Sequence, residues 1–149
     1  MSRKPSAPKP SASAGRSLDA LDPISPADLG RRPPSKAVAA ARAVPLKDLS
    51  PAALLTLLHD GRGLRHLLPF AAEAAALDPW AEREFHRGDL LLAVLQTRSP
   101  LHPAGTKLRA ALVALATAAL ATAKRLPPAQ RAPDLEAEVI AWLAKNGRG

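Results

Sequence analysis

The chain has 149 residues, of which 47% are hydrophobic, 23% charged and 3% aromatic, and its formal net charge is +8. This length suits one domain with a modest core. Cysteine is absent, which excludes a disulfide scaffold, a thiolate zinc site and a cysteine nucleophile. No stretch approaches the roughly 20 uninterrupted apolar residues that a membrane-spanning helix needs.

The composition also bears on the fold class. Tyrosine is absent, and the large rings are two tryptophans and two phenylalanines. Strands draw on aromatic and β-branched side chains, whereas the alanine and leucine that dominate here are strong helix formers. The sequence therefore predicts an all-α fold, a compact bundle of about five helices with apolar residues at helical spacing.

The N-terminal part of the chain differs from the rest. Residues 1–45 hold 8 of the 16 prolines, and 8 lysines and arginines against 3 aspartates. Residues 1–34 carry too few large apolar side chains to offset the entropy of ordering. We expect a disordered Pro/Ser-rich basic tail over 1–34 and a helical domain over 35–149. No apolar segment follows the basic residues near Met1, so we expect no secretory signal and a cytoplasmic protein.

Two helices are predicted in the first part of this domain. A weak, alanine-rich helix covers residues 35–44. A stronger helix begins at Pro51, because Ser50 can cap it and proline suits the first helical position. Gly61 ends this second helix.

A helix over residues 64–77 follows, and its Pro69 must lie in the first turn or kink the helix, since proline has no N–H donor. Residues 81–89 are a polar connection. At its end, Asp89 is placed to cap a strongly apolar helix.

Two more helices complete the predicted bundle. One covers about residues 103–126, which lie between proline-containing segments. The other covers about residues 134–145, and Gly147 ends it.

Searches for a catalytic or metal site give no candidate. The segment with Gly61 and Gly63 lacks the third glycine of a dinucleotide-binding loop. It also follows a predicted helix, whereas such a loop follows a strand. His59 and His66 flank a helix break, where a structural role is the simpler interpretation. We therefore expect no enzyme, no catalytic residue, no metal and no cofactor.

The net charge favours a different alternative, because a pI near 10.8 is typical of nucleic-acid binders. Lys107, Arg109, Lys124 and Arg125 could form a basic face on the long helix, although a solvated helix surface is the favoured explanation. A basic nucleic-acid-binding helical protein remains an alternative. A helical regulatory or interaction protein that associates through its last two helices is another.

Four stretches between residues 44 and 96 form an ordered pattern. They are residues 44–50 (VPLKDLS), 63–73 (GLRHLLPFAAE), 77–82 (LDPWAE) and 85–91 (FHRGDLL). Together they resemble the immunity proteins of contact-dependent growth inhibition systems, in which similar stretches occur in the same order. This chain has no glycine at the family's bend, near Arg83, and it has Phe85 and His86 where the family has an aromatic residue.

The resemblance implies a small, bacterial, cytoplasmic helical protein that binds one cognate toxin domain and blocks it by stoichiometric occlusion. We expect the toxin to contact the connection over residues 78–89, because its side chains are of types common at protein interfaces. The expected contact residues are Trp80, Arg83, Phe85, His86 and Arg87. Alternatively, Trp80 and Phe85 are core residues. The positions that match the family pattern are Gly63, Leu64, Pro69, Glu73, Pro79, Gly88 and Asp89. We expect no membrane partner, and nucleic acid to bind only weakly, through the basic tail.

Overall fold

The computed structural model describes residues 15–97 and 106–147. These residues form eight α-helices and no β-strand, so the all-α prediction is confirmed. The helices are α1 (Leu18–Leu21), α2 (Pro26–Arg31), α3 (Lys36–Arg42), α4 (Pro51–Asp60), α5 (Leu64–Leu77), α6 (Asp89–Leu95), α7 (Lys107–Ala123) and α8 (Pro133–Asn146). None of the helices described is both long and apolar enough to cross a bilayer.

Hydroxyl side chains fix where many of these helices begin. At each such start the hydroxyl oxygen accepts a hydrogen bond from the backbone N–H three residues later, which satisfies one of the donors left free in the first turn. The capping residues are Ser17, Ser25, Ser35, Ser50 and Thr106. The predicted Ser35 and Ser50 caps are confirmed.

The ends of the predicted helices agree closely with the structure. Helix α5 has the predicted bounds, but Pro69 lies inside it, beyond the first turn, and the helix continues to Leu77. Helix α7 is shorter than the predicted range of 103–126, of which residues 103–105 lie outside the described residues. Helix α8 is one residue longer at each end than predicted.

The core is built mainly of leucine and alanine from α4 to α8, with α1 and α3 contributing at one side. Its largest fully buried apolar side chains are Leu18, Leu46, Leu55, Leu57, Leu67, Leu68, Leu91, Val94, Leu95 and Leu112. Small side chains from α5 and α7 let these helices approach closely. At the start of α5, Gly63 lets α1 approach closely, because a Cβ there would lie 2.6 Å from Leu18 Cδ1.

The prediction of disorder is wrong for residues 15–34, while residues 1–14 lie outside the described residues. Helices α1 and α2 form in this segment, and Leu18 is fully buried in the core. Two arginines beyond the segment hold it in place. Arg42, only 1% exposed, donates to the Asp19 carboxylate at 2.8 Å and also to the carbonyl of Asp22.

The second arginine, Arg62, donates from Nη1 to the carbonyl of Arg32 at 2.7 Å. Its Nε and Nη2 each donate to the Asp60 carboxylate at 2.9 Å. The side-chain hydrogen bonds from Arg62 outweigh burial and hold the pKa of Asp60 below its ordinary value. The hydrogen bonds that Arg42 and Arg62 make to the segment over residues 15–34 join residues about 20–30 positions apart. Composition alone therefore does not reveal them.

Candidate protein-binding loop

The connection between α5 and α6 is a compact loop over residues 81–88, built on a buried tryptophan. Trp80 is 4% exposed, and its Nε1 donates to the carbonyl of Ala119 in α7 at 2.7 Å. Gly88 closes the loop against the same ring. It adopts a left-handed conformation, with φ of 73°, and a Cβ there would lie 2.9 Å from Trp80 Cε3. Both the conformation and the close contact require glycine.

The Asp89 carboxylate holds the loop from inside. The side chain is buried, and its Oδ1 accepts from the backbone N–H groups of Arg83 at 3.1 Å and Leu90 at 2.7 Å. Its Oδ2 accepts from the backbone N–H groups of Glu84 at 2.8 Å and Phe85 at 2.9 Å. Each carboxylate oxygen therefore accepts two hydrogen bonds, and three of the four donors belong to the loop.

These hydrogen bonds also determine the ionisation of Asp89. Burial acts to raise the pKa of this carboxyl, but the backbone N–H donors of Phe85, Glu84, Arg83 and Leu90 favour the charged form and leave its pKa below the ordinary value. Asp89 is therefore ionised at neutral pH.

Two arginines tie the loop to its surroundings, one to α5 and one to the connection between α7 and α8. Arg83 is half-buried, and its Nη2 donates to the carbonyl of Ala74 at 3.2 Å, near the end of α5. Arg87 reaches from the other side of the loop to the carbonyl of Gln130 at 3.4 Å. Within the loop, the backbones of Glu82 and Arg87 form an isolated antiparallel β-bridge. The backbone conformation is thus fixed from within and from both flanks.

The outer side of the loop presents an aromatic ring to solvent. Phe85 is 66% exposed, although large apolar side chains are usually covered. The side chains of Glu84, His86 and Arg87 beside it are also exposed. This arrangement surrounds one apolar ring with polar groups of both charges, and it suits contact with another macromolecule.

The structure separates the five expected contact residues. Phe85, His86 and Arg87 lie together on the exposed side. Trp80 is a core residue and cannot contact a partner, so the prediction is wrong for Trp80. Arg83 faces inward and holds the end of α5. The set that remains, Phe85, His86 and Arg87, is hereafter called the loop tip.

The role of Asp89 differs from the predicted one. Gly88 occupies the N-cap of α6, and Asp89 is the first helical residue. Its carboxylate mostly satisfies donors of the preceding loop rather than those of the helix. Sequence reasoning therefore missed its part in ordering residues 83–85, although a carboxylate after a polar, glycine-terminated connection was a usable signal.

The remaining positions of the pattern lie in α5 or beside α5 and α6, and they divide into buried and exposed ones. Gly63 precedes α5 with φ of 72°, Leu64 and Pro79 are buried, and Pro69 and Glu73 lie on the exposed part of α5. Among the residues described, no group of three or more His, Asp or Glu side chains is placed to hold a metal ion.

Comparison of the chain with protein-family models, curated proteins and solved structures gives no significant match.

Proposed function

We propose that this chain is an immunity protein that binds the toxin domain of a contact-dependent growth inhibition system in the cytoplasm and blocks it by stoichiometric occlusion. The proposal requires a surface that binds protein and no catalytic step. It is supported by the resemblance over residues 44–96 and by the loop tip.

One observation carries the proposal: Phe85 is exposed on a loop whose backbone is already fixed. Binding through a mobile loop loses affinity because the loop must be ordered first, and a preformed loop avoids that cost. The Asp89 carboxylate supplies the order, since it accepts from the three consecutive backbone N–H groups of Arg83, Glu84 and Phe85. Aromatic residues at the centre of an interface commonly contribute most of its binding energy.

The charged side chains near Phe85 have a separate role in the proposed contact. Exposed charges at the rim of an interface steer the encounter and discriminate between partners more than they add affinity. Glu82, Glu84 and Arg87 are exposed around the ring. Substitutions at these positions should change the association rate and its salt dependence, whereas substitutions of Phe85 should change the dissociation rate.

The test uses the purified toxin domain encoded beside this gene. We expect the full chain to abolish toxin activity at equimolar concentration, and Phe85→Ala to weaken binding by about 2 kcal/mol, or about thirtyfold, as for an interface hot spot. Ile140→Ala is the matched control, because Ile140 is 56% exposed on α8, away from the loop. Full toxin activity in the presence of an equimolar amount of folded protein would refute the proposal.

Nucleic-acid binding is the second candidate, and the net charge of +8 favours it. Removal of residues 1–14 tests it better than removal of residues 1–45, because the larger deletion would also remove Leu18 from the core. If the chain binds duplex DNA through its basic residues, its affinity should fall steeply with salt. Salt-dependent binding that vanishes with residues 1–14 would indicate a tail effect only.

A further inference from the structure

An apolar depression lies between α5 and α7, and no residue of the loop tip lines it. Its volume is about 580 Å³. The groove, as it is called below, has small or apolar lining residues apart from Glu73 and Lys107: Pro69, Ala72, Ala76, Pro79, Leu108, Ala111, Ala114, Leu115 and Ala118. Several of these alanines, including Ala76, Ala111, Ala114 and Ala118, are exposed to solvent.

An exposed leucine follows a groove-lining residue at the end of α5. Leu77 is 88% exposed and lies next in sequence to Ala76, which lines the groove. The same molecule therefore carries an apolar depression and a large apolar side chain at its margin. Alanine side chains keep the depression shallow and let another chain approach the helix backbones closely.

The charges of the groove are self-complementary. Glu73 and Lys107 are both exposed, and they lie on different walls, one on α5 and one on α7. In a contact with two-fold symmetry, each copy offers the same surface to the other. Glu73 of each copy can then pair with Lys107 of the second copy while the apolar residues between them are covered.

We propose that the groove is a dimerisation surface, in which a second copy of this chain covers the groove and inserts its Leu77. The single copy leaves Leu77 and the groove in water, and a symmetric dimer removes both from water at once. No residue of the loop tip lines the groove, so the proposal does not depend on toxin binding.

The test measures the mass of the full chain by sedimentation equilibrium over micromolar to millimolar concentrations. We expect a reversible rise from 15.6 kDa to twice that mass. Leu77→Ser should weaken association by about thirtyfold, the effect of losing about 2 kcal/mol of apolar burial. Ile140→Ser is the matched control and should leave association unchanged, because Ile140 is an exposed apolar residue on a different helix.

A charge exchange tests the pairing itself. Glu73→Lys and Lys107→Glu should each weaken the dimer by about fivefold, and the double variant should restore it. All these side chains are exposed, so the variants should keep the fold, which circular dichroism verifies. A chain that stays monomeric at every concentration, or a dimer that Leu77→Ser leaves unaffected, would overturn the proposal.

Discussion

Two irregular regions of this protein are each held by a buried charged side chain, but in opposite ways. In the loop over residues 81–88, the Asp89 carboxylate accepts from backbone donors four to six positions away in sequence. In the segment over residues 15–34, the Arg42 guanidinium donates to groups 20 and 23 positions away. The first contact is local and orders a surface; the second is long-range and attaches a segment to the core.

The difference has consequences for stability. The Asp89 carboxylate and its four backbone N–H donors leave water together when the protein folds. If the carboxylate is lost, all four donors lose their hydrogen-bond partner at once. The segment with α1 and α2 also has an independent attachment, because Leu18 packs in the core and Arg62 donates to Arg32. Loss of Asp89 should therefore cost more than loss of Arg42.

Asp89→Asn should produce the largest effect. Asparagine keeps one acceptor oxygen, but its NH2 group takes the place of the other carboxylate oxygen. The two backbone N–H groups that donate to that oxygen would then face another donor. We expect a loss of about 3 kcal/mol in the free energy of unfolding, measured by urea denaturation at neutral pH. Asp134→Asn, in the exposed first turn of α8, is the control and should cost less than about 1 kcal/mol. Equal losses for both variants would contradict the central role of Asp89.

Arg42→Met should come second and act locally. It keeps apolar volume but removes the hydrogen bonds to Asp19 and Asp22, while Asp19 is half exposed and can be rehydrated. A loss of about 2 kcal/mol would raise the open population of the segment about thirtyfold. Trypsin should then cleave after Arg31 about thirtyfold faster than in Lys47→Met, the surface control; the Arg32–Pro33 bond resists trypsin. Cleavage at an unchanged rate would show that Leu18 and the Arg62 contact hold the segment without Arg42.

The contribution of Asp89 should also depend on pH. Its pKa in the folded state is lower than the ordinary value of 3.8, so the folded state binds the proton less tightly than the unfolded state does. The stabilisation is present above pH 3.8 and is lost as the pH falls through the folded pKa. The difference in unfolding free energy between the wild type and Asp89→Asn should shrink below pH 3.8. A difference that grows on acidification would contradict the assigned direction.

Phe85→Ala should have the smallest effect on stability. The ring is mostly in water, so we expect a change of less than about 0.5 kcal/mol in the free energy of unfolding. A loss above about 2 kcal/mol would place Phe85 among the core residues and remove it from the loop tip. This measurement therefore separates binding defects from folding defects in the toxin assay.

Much of the fold could be predicted because its signals are local. Serine caps, apolar spacing and terminating glycines identified helices α3 to α8 within a few residues. The segment over 15–34 could not be predicted, because its order depends on Arg42 and Arg62, which lie beyond it in sequence. For the loop, residue types suggested an interface, but they could not distinguish buried Trp80 from exposed Phe85. That distinction depends on the hydrogen bond from Trp80 Nε1 to the carbonyl of Ala119, which lies 39 positions away in sequence.

The central claim, that the loop is preformed around Asp89, is tested most directly by amide hydrogen exchange at Arg83, Glu84 and Phe85. We predict that the three amides are protected at least about a hundredfold relative to an unstructured peptide, and that Asp89→Asn abolishes this protection while α5 remains protected. Exchange of these amides at peptide rates in the wild type, with α5 and α6 still protected, would contradict the account.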